Sequence, residues 1–582
     1  MGVRGTSLQQ HLHEVQLVTS LKSFDLVIAA ARIVDGCGNP WYRGDIGVRG
    51  DRIAAIGPPR SLRGDTIHDA EERYAVPGFI DPHTHSDLAM LVHRRAETAL
   101  LQGVTTQVTG NCGISAAPLA EAHRRDLVRL WDHYGWALEG VAWNWHTFEE
   151  YMAELESAGL GINLVPLVGH SALRIAAMGY EQRRPTAAEL DHMRRLLDAG
   201  MRAGAVGFST GLVYPPGCYA QTDELEALCE VAARHQGIYA THVRGERETI
   251  LAADAEAVEL GRCTEVPVQI SHNAPKIGAP VGEALANLGL VEEARDRGLD
   301  VTVDNDLHSE LAVRLSRALP QPVLDLDHDD LMALLRDGEG RRRLQEDVTA
   351  DRYPGAGYSG LLRHGAFDRI VMLQAPADQS LLGLSVAAIA SSRGRPAFDT
   401  YLDLIVEQED EAVAIFEYID PTAIRTLLRH PAAMICSDGL VMPPLDGTES
   451  AGDYWPCSYA EYPGILERLV REEGILTLEE AIRKMTSFPA QRFGLFDRGV
   501  IRPGMIADIV VLELSRLRDR ATNPHPHRWP FENIPPRYPE GIDAVYVAGQ
   551  LAVDEGGRTD CLSGRLLRRQ GAGGRRGSVR RR

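Results

Sequence analysis

The 582-residue chain contains no stretch of about 18 consecutive apolar residues, so no segment is long enough to cross a membrane. Its first 23 residues lack the apolar core of a secretory signal. Its eight cysteines are too few and too irregularly spaced for a disulfide scaffold. We therefore expect reduced thiols, a cytoplasmic location and no membrane partner.

Basic side chains are also in deficit, because 61 Lys and Arg stand against 81 Asp and Glu and give a formal net charge of −20. Such a surface repels a phosphate backbone, so we expect no nucleic-acid partner. The exception is residues 565–582, which hold eight arginines and no acidic residue. Residues 565–582 have no periodicity and little apolar content, and we expect a disordered tail.

What the chain does contain is a series of short apolar runs that end in polar residues. Eight of them are typical of buried strands, and they occupy residues 79–83, 104–110, 163–170, 205–210, 238–242, 266–272, 299–304 and 433–438. Helix-like sequence separates most of these runs; at 186–203, for example, Thr186 and Glu189 form a capping box. Eight strands with helical intervals predict an α/β fold, a (β/α)8 TIM-type barrel.

Two parts of the chain depart from this alternation. The interval of about 305–431 is too long for one connection and predicts an inserted helical subdomain between strands 7 and 8, over the barrel mouth. Short strand-like runs occur in residues 25–75 and 499–564, and we expect them to combine into a small β-sandwich domain built from both chain ends. This leaves residues 1–24 as an N-terminal extension and 76–498 as the barrel with its insertion.

Side chains that bind metals follow several of the predicted strands. His83 and His85 are two residues apart, so an extended backbone turns both imidazoles to the same side. Strand ends of a barrel of this kind converge on one mouth. Six residues of metal-ligand type follow strands there: His83, His85, Cys112, His242, His272 and Asp438. Imidazole, thiolate and carboxylate groups together favour Zn2+.

These residues lie in segments that resemble a known family. Residues 76–87 (VPGFIDPHTHSD) resemble the metal-binding opening of the amidohydrolase superfamily. Residues 110–118 (GNCGISAAP) are the most specific element of a narrower resemblance, to the N-acyl-D-amino-acid deacylases, or D-aminoacylases. The other segments that resemble this group are 207–217 (GFSTGLVYPPG), 241–246 (THVRGE), 270–272 (ISH), 429–439 (RHPAAMICSDG) and 499–511 (GVIRPGMIADIVV).

The resemblance implies one tighter zinc position, held by Cys112, His242 and His272. It also implies a second, weaker position at His83, His85 and Asp438. Many amidohydrolases bridge two metals with a lysine on strand four, but residues 204–210 contain no lysine. Cys112 would take that bridging place.

The function that the resemblance implies is hydrolysis of the amide of a small N-acyl-D-amino acid or a related N-acylated compound. Zinc would activate the water, and Asp438 would act as the catalytic acid and base. Tyr214 would donate a hydrogen bond to the carbonyl oxygen. An α-carboxylate on the substrate would require cations near the mouth, and the candidates are Lys276, Arg244 and Arg429.

Three segments differ from the family at places that face the substrate. Ala274 stands where the family has a lysine, residues 304–310 replace an aromatic segment, and a His-Pro-Arg segment is missing around residues 455–463. Hydrolysis of another C–N bond, in a cyclic amide, ureido or dipeptide-like substrate, is therefore the nearest alternative. A non-catalytic metal-binding scaffold is the alternative from a different class.

Overall fold

The computed structural model describes residues 23–133, 136, 138–157, 159–277, 279, 282–324, 326–352, 359–444, 456–521 and 538–569, so residues 1–22 of the predicted extension lie outside it.

The first five strands of the chain begin a mixed sheet. The strands are β1 (Phe24–Ile33), β2 (Tyr42–Arg49), β3 (Arg52–Gly57), β4 (Gly64–Asp69) and β5 (Tyr74–Pro77). Strand β1 pairs antiparallel with β2 and parallel with β4 and β5.

Seven parallel strands come next, and neighbours in the chain are neighbours in the sheet. They are β6 (Phe79–Asp81), β7 (Val104–Thr109), β8 (Asn163–Gly169), β9 (Gly207–Gly211), β10 (Ile238–His242), β11 (Val268–Ile270) and β12 (Val301–Asn305). All of their residues are buried. Because both faces are buried, apolar side chains occur on both faces of most of these strands, although β7 and β12 also contain polar residues.

Helices connect these strands and cover the outside of the sheet. They are α1 (Ala89–Val92), α2 (Glu97–Leu100), α3 (Arg124–His133), α4 (Phe148–Glu156), α5 (His170–Met178), α6 (Ala187–Ala203), α7 (Thr222–Arg234), α8 (Ile250–Thr264) and α9 (Glu283–Asp296). The predicted capping box starts α6: the Glu189 backbone N–H donates to the Thr186 hydroxyl, and the Thr186 N–H donates to the Glu189 carboxylate. Gly204, at φ +115°, ends the helix.

The insertion after β12 contains a small three-stranded sheet as well as helices. Its elements are β13 (Glu310–Arg314), α10 (Gln321–Leu324), α11 (His328–Arg336), α12 (Gly338–Thr349), α13 (Gly360–Arg363), β14 (Ile370–Gln374), α14 (Val386–Arg393), α15 (Ala397–Glu407) and β15 (Val413–Glu417). Strand β15 lies between β13 and β14 and is antiparallel to both. The predicted inserted subdomain contains the expected helices, and this sheet is an addition that the prediction did not include. The insertion packs around its own apolar core, which includes Leu335, Tyr401 and Phe416.

The chain returns to the barrel through α16 (Pro421–Arg429) and the eighth strand, β16 (Ala433–Ile435), which pairs with β12. Helices α17 (Pro456–Ile465), α18 (Leu478–Met485) and α19 (Ser487–Arg492) follow, and a π-helix spans Leu466–Glu472. Each of the eight predicted strands overlaps an observed one, so the predicted (β/α)8 barrel is confirmed.

The seam between the first and last barrel strands is joined at the carboxyl end. Asp438 N–H donates to His83 O at 3.1 Å, and His85 N–H donates to Gly439 O at 2.8 Å. The Asp81 carboxylate accepts hydrogen bonds from the Ser437 hydroxyl and backbone N–H, at 2.5 Å and 3.1 Å. These bonds bring the loops after β6 and β16 into contact.

The last strands complete the first sheet, as predicted for a β domain built from both chain ends. They are β17 (Ile509–Leu512), β18 (Ile542–Val547), β19 (Gln550–Asp554) and β20 (Gly557–Arg558). Strand β17 pairs with β5, and all nine strands belong to one hydrogen-bonded sheet. Its apolar core combines residues from the two ends, such as Ile28 and Val511.

The start of the predicted tail is ordered. Leu567 N–H donates to Leu164 O at 2.7 Å, Leu164 N–H donates to Arg565 O at 2.9 Å, and Leu566 is buried. Residues 570–582 lie outside the described part of the chain. Among the described residues, no helix combines the length and the hydropathy that a membrane span requires.

Candidate metal centre

Six side chains from five different strand ends meet at the carboxyl end of the barrel. They are His83 and His85 after β6, Cys112 after β7, His242 at the end of β10, His272 after β11, and Asp438 after β16. The five histidine and cysteine side chains are buried, whereas the side chain of Asp438 is 34% exposed and faces the mouth.

The Cys112 thiol lies at the middle of this group. Its Sγ lies 3.3 Å from His83 Nε2, 3.4 Å from His272 Nε2 and 3.7 Å from His242 Nδ1. Ligand atoms bound about 2.1 Å from a tetrahedral zinc ion lie about 3.4 Å from one another. The spacing around Cys112 is therefore that of ligands on a shared metal ion.

Asp438 brings a carboxylate to the other side of the group. Its Oδ1 lies 3.1 Å from His85 Nε2 and 3.3 Å from His83 Nε2. The ligand atoms form three overlapping triads, and within each triad all atoms lie within 4.8 Å of one another: His83–His85–Cys112, Cys112–His242–His272 and His83–His272–Asp438. His83, Cys112 and His272 each belong to two of the three triads.

Three of these residues adopt a left-handed backbone conformation that is uncommon outside glycine. The φ angles are +50° for Cys112, +32° for His272 and +50° for Asp438. Such conformations cost free energy and are concentrated at functional sites. At Cys112 the turn also depends on Gly113, at φ +75°, where an added Cβ would lie 2.8 Å from the Gly211 nitrogen.

Two carboxylates lie beside the outer nitrogens of two of the histidines, His242 and His83. Glu246 Oε1 lies 3.1 Å from His242 Nε2, on the side opposite Cys112. Asp304 Oδ1 lies 3.5 Å from His83 Nδ1 and accepts a hydrogen bond of 2.8 Å from the His272 backbone N–H. Histidines that bind metals in proteins are oriented in this way, because the carboxylate retains the proton on the outer nitrogen.

The surrounding charges favour the ionised forms of Cys112 and Asp438. Burial raises the pKa of the Cys112 thiol, but His83 and His272 more than offset this and hold the pKa well below its ordinary value. Burial also raises the pKa of Asp438, yet His272 and His83 bring it to about 2. Thiolate and carboxylate are therefore the stable forms of these two side chains, as cation binding requires.

The same charges act on the histidines in the opposite direction. Burial lowers the pKa of His85, but Asp438 and Cys112 raise it to about 9. For His242, burial lowers the pKa, and Glu246 and Cys112 raise it to about 9. His85 and His242 thus carry protons that a divalent cation would displace.

Two of the four predicted substrate-binding residues lie beside the ligand group. The Tyr214 hydroxyl lies 2.5 Å from His242 Nδ1. Lys276 is 5% exposed, with its ammonium 3.6 Å from Glu246 Oε1 and 5.2 Å from the centre of the Tyr418 ring. Lys276 follows β11, as the sequence predicts, and points to the centre rather than to solvent.

The two arginines are placed differently. Arg244 forms a bidentate ion pair with Glu256, through bonds of 3.0 Å and 3.2 Å, and this pair occupies its guanidinium. Arg429 is the last residue of α16 and is exposed at the amino end of the barrel strands. It therefore cannot reach the mouth, and its prediction as a substrate-binding residue is corrected.

The structure adds neighbours that sequence reasoning missed. Beyond Glu246, the segment after β12 brings Asp306 and His308 to the mouth, where His308 Nδ1 lies 2.7 Å from Glu461 of α17. The Trp136 ring stacks on His85 with centroids 4.3 Å apart. Glu246 had a visible signal, a carboxylate four residues after a ligand-type histidine in the segment 241–246. Asp306 and His308 lie in the segment 304–310, which the resemblance places facing the substrate.

Comparison with known proteins gives a consistent result. The sequence profile of the amidohydrolase family matches residues 66–348 and 363–553. The D-aminoacylase of Alcaligenes xylosoxydans xylosoxydans is 34% identical over 552 residues, which cover 94% of this chain and 98% of that protein. The N-acyl-D-glutamate deacylase of the same organism is 34% identical over 551 residues and is covered to 97%.

A solved structure is similar over the same length. It is the N-acyl-D-glutamate deacylase of Bordetella bronchiseptica, complexed with zinc and with a phosphonate inhibitor that mimics the tetrahedral intermediate of the reaction. The TM-score is 0.72 at 30% sequence identity, and the alignment covers 94% of this chain and all of that one.

Proposed function

The chain belongs to the amidohydrolase family, and from this membership and the geometry of the centre we propose that it is a zinc-dependent hydrolase of N-acyl-D-amino acids or related N-acylated compounds. The observation that carries the proposal is the group of ligand atoms around Cys112, which have the separations of zinc ligands at a barrel mouth. The D-configuration and the N-acyl amide come from what the relatives are named for.

The donor set fits zinc. Cys112, His242 and His272 would hold the tighter position, because they combine a thiolate with two imidazoles that lie beside the Glu246 carboxylate. His83, His85 and Asp438 would hold a second, weaker position, with the Cys112 thiolate between the two. The zinc in the related Bordetella bronchiseptica structure supports the choice of metal.

When bound, zinc would lower the pKa of a water molecule and polarise the substrate carbonyl. Asp438 would accept the proton of that water, because its carboxylate is ionised and faces the mouth. The water oxygen would bond to the carbonyl carbon, the C–N bond would break, and Asp438 would deliver the proton to the leaving nitrogen. The Tyr214 hydroxyl would donate a hydrogen bond to the carbonyl oxygen.

Lys276 would bind the α-carboxylate of the substrate. Its ammonium is nearly buried and lies on the loop that carries the ligand His272. A charge-assisted hydrogen bond in such a site is stronger than one in water. The guanidinium of Arg244, the other candidate cation, is held by Glu256.

We infer a small-molecule substrate and a cytoplasmic enzyme. All eight cysteines are free thiols, and the proposed centre requires Cys112 as a thiolate. A reducing compartment keeps the eight thiols free and keeps Cys112 available as a thiolate.

The test is amine release from matched N-acyl-D- and N-acyl-L-amino acids by the zinc-loaded protein. We expect D-selective release, and a loss in kcat of about 10²- to 10⁴-fold in Asp438→Asn. Asp368→Asn, which changes an exposed carboxyl in the insertion, is the matched control and should keep wild-type activity. If the zinc-loaded protein releases no amine from any member, the proposal fails, and cyclic amides and ureido compounds become the substrates to test.

A further inference from the structure

One carboxylate lies between the metal ligands and the cation proposed for the substrate. Glu246 Oε1 lies 3.1 Å from His242 Nε2, 3.9 Å from His272 Nδ1 and 3.6 Å from Lys276 Nζ. All four side chains are buried. A buried charge interacts strongly with its neighbours, so a change at Glu246 reaches each of them.

The arrangement determines which histidine nitrogens face the metal positions. His242 turns Nδ1 to Cys112 and Nε2 to Glu246, whereas His272 turns Nε2 to Cys112 and Nδ1 to Glu246. The negative charge of Glu246 beside both outer nitrogens favours a proton there and leaves the inner lone pairs available for a metal.

The backbone joins the same two loops. Lys276 N–H donates to the Glu246 carbonyl oxygen at 2.8 Å, so the loop after β11 is tied to the loop after β10 by both main chain and side chain. The Tyr418 ring lies 5.2 Å from the Lys276 ammonium. Lys276 is thus held in place between Tyr418 and Glu246.

We propose that Glu246 is a positioning residue that joins the metal centre to the substrate-carboxylate subsite, by orienting His242 and His272 and by holding the Lys276 ammonium. The second half rests on the proposed function, because it assigns Lys276 to the α-carboxylate of the substrate. Glu246 touches neither the reacting carbonyl nor the leaving nitrogen.

The experiment uses the full-length protein and two readouts: zinc affinity by chelator competition, and the steady-state constants at saturating zinc. We expect Glu246→Gln to lose about 10- to 100-fold in zinc affinity, the range seen when an outer partner of a metal ligand is removed. KM should rise at least fivefold, because the amide cannot hold the Lys276 ammonium. Glu246→Asp keeps the charge and should recover part of both losses.

Two further variants separate positioning from general damage. Glu248→Gln, two residues away, changes a carboxylate that pairs with Arg363 and His364 of the insertion, and it should keep both constants within twofold. In the Lys276→Met background, Glu246→Gln should raise KM no further while still weakening zinc binding. Effects that pass through one shared partner are not additive.

Wild-type zinc affinity in Glu246→Gln would overturn the inference, whatever the substrate is. KM effects that multiply in the double variant would overturn the link to Lys276. If Glu246→Gln does not fold, the Glu246→Asp variant tests the inference instead. Its side chain is shorter, so wild-type zinc affinity and KM in this variant would contradict a positioning role. The proposed function fails separately, when the zinc-loaded wild-type protein releases no amine; zinc affinity then tests Glu246 alone.

Discussion

Removal of the Cys112 thiol is the most informative perturbation of this site. The Sγ atom lies within 3.7 Å of three histidine nitrogens from three different loops and belongs to two of the three ligand triads. Cys112→Ala therefore removes a ligand from both proposed zinc positions at once. The histidines also lose the negative charge that balances them.

The magnitude follows from the ligand count. Zinc sites with four ligands bind with about 10–16 kcal/mol, and an equal share gives about 3 kcal/mol for one ligand. Because about 1.4 kcal/mol corresponds to a factor of ten, the tighter position should lose about 100-fold in zinc affinity. The assay is competition with a chelator of known affinity, together with the zinc content after dialysis and the rate of amine release.

Cys229→Ala is the matched control, since Cys229 is an equally buried thiol that lies in α7, within the apolar core. The control should retain zinc and rate, with a modest loss of stability from the small cavity. If Cys112→Ala keeps its zinc content, its zinc affinity and its rate of amine release within twofold of wild type, Cys112 is not a ligand and the proposed metal centre is refuted.

Three further outcomes are expected. Burial, Glu461 and Asp438 raise the pKa of Asp306 to about 8, so discrimination against N-acyl-D-glutamate relative to N-acyl-D-methionine should increase as the pH rises through 8 and Asp306 ionises. Asp306→Asn should lack this increase in a comparison of kcat/KM values. Burial lowers the pKa of Lys484 from 10.5 to about 8. Between pH 8 and pH 10.5 the Lys484 side chain is therefore protonated in the unfolded chain and largely neutral in the native state. The free energy of unfolding of wild type relative to Lys484→Met should rise with pH over that window, by up to about 3 kcal/mol in urea titrations; an equal response of both proteins would contradict the shift. Chelation of zinc should lower the Tm of the wild-type protein, because a ligand bound to the native state stabilises it, and should shift Cys112→Ala far less.

The barrel was predictable because its signal is local. A parallel strand covered on both faces is rich in apolar residues, and each of the eight predicted runs, from residues 79–83 to 433–438, overlaps an observed strand. Helix α6 was predictable for the same reason, since Thr186 and Glu189 are only three residues apart.

The insertion could be predicted only in part from its local sequence. Its length was visible as an interval too long for one connection, but its three-stranded sheet was not. Strand β13 pairs with β15 across about a hundred residues, and its only apolar run is the three residues 311–313, between charged residues on a half-buried strand. Its pairing depends on a partner that the local sequence does not reveal.

The sequence by itself determined which ligand-type residues follow barrel strands, but a place at a strand end did not decide their role. His170 also follows a strand, yet it turns outward to a buried pair with Glu224, while His83 and Cys112 turn inward to each other. Only the tertiary structure decided this, and it likewise placed Glu246 beside both His242 and Lys276. Distances between residues so far apart in the chain depend on how the whole barrel closes, and closure results from the packing of every strand and helix together.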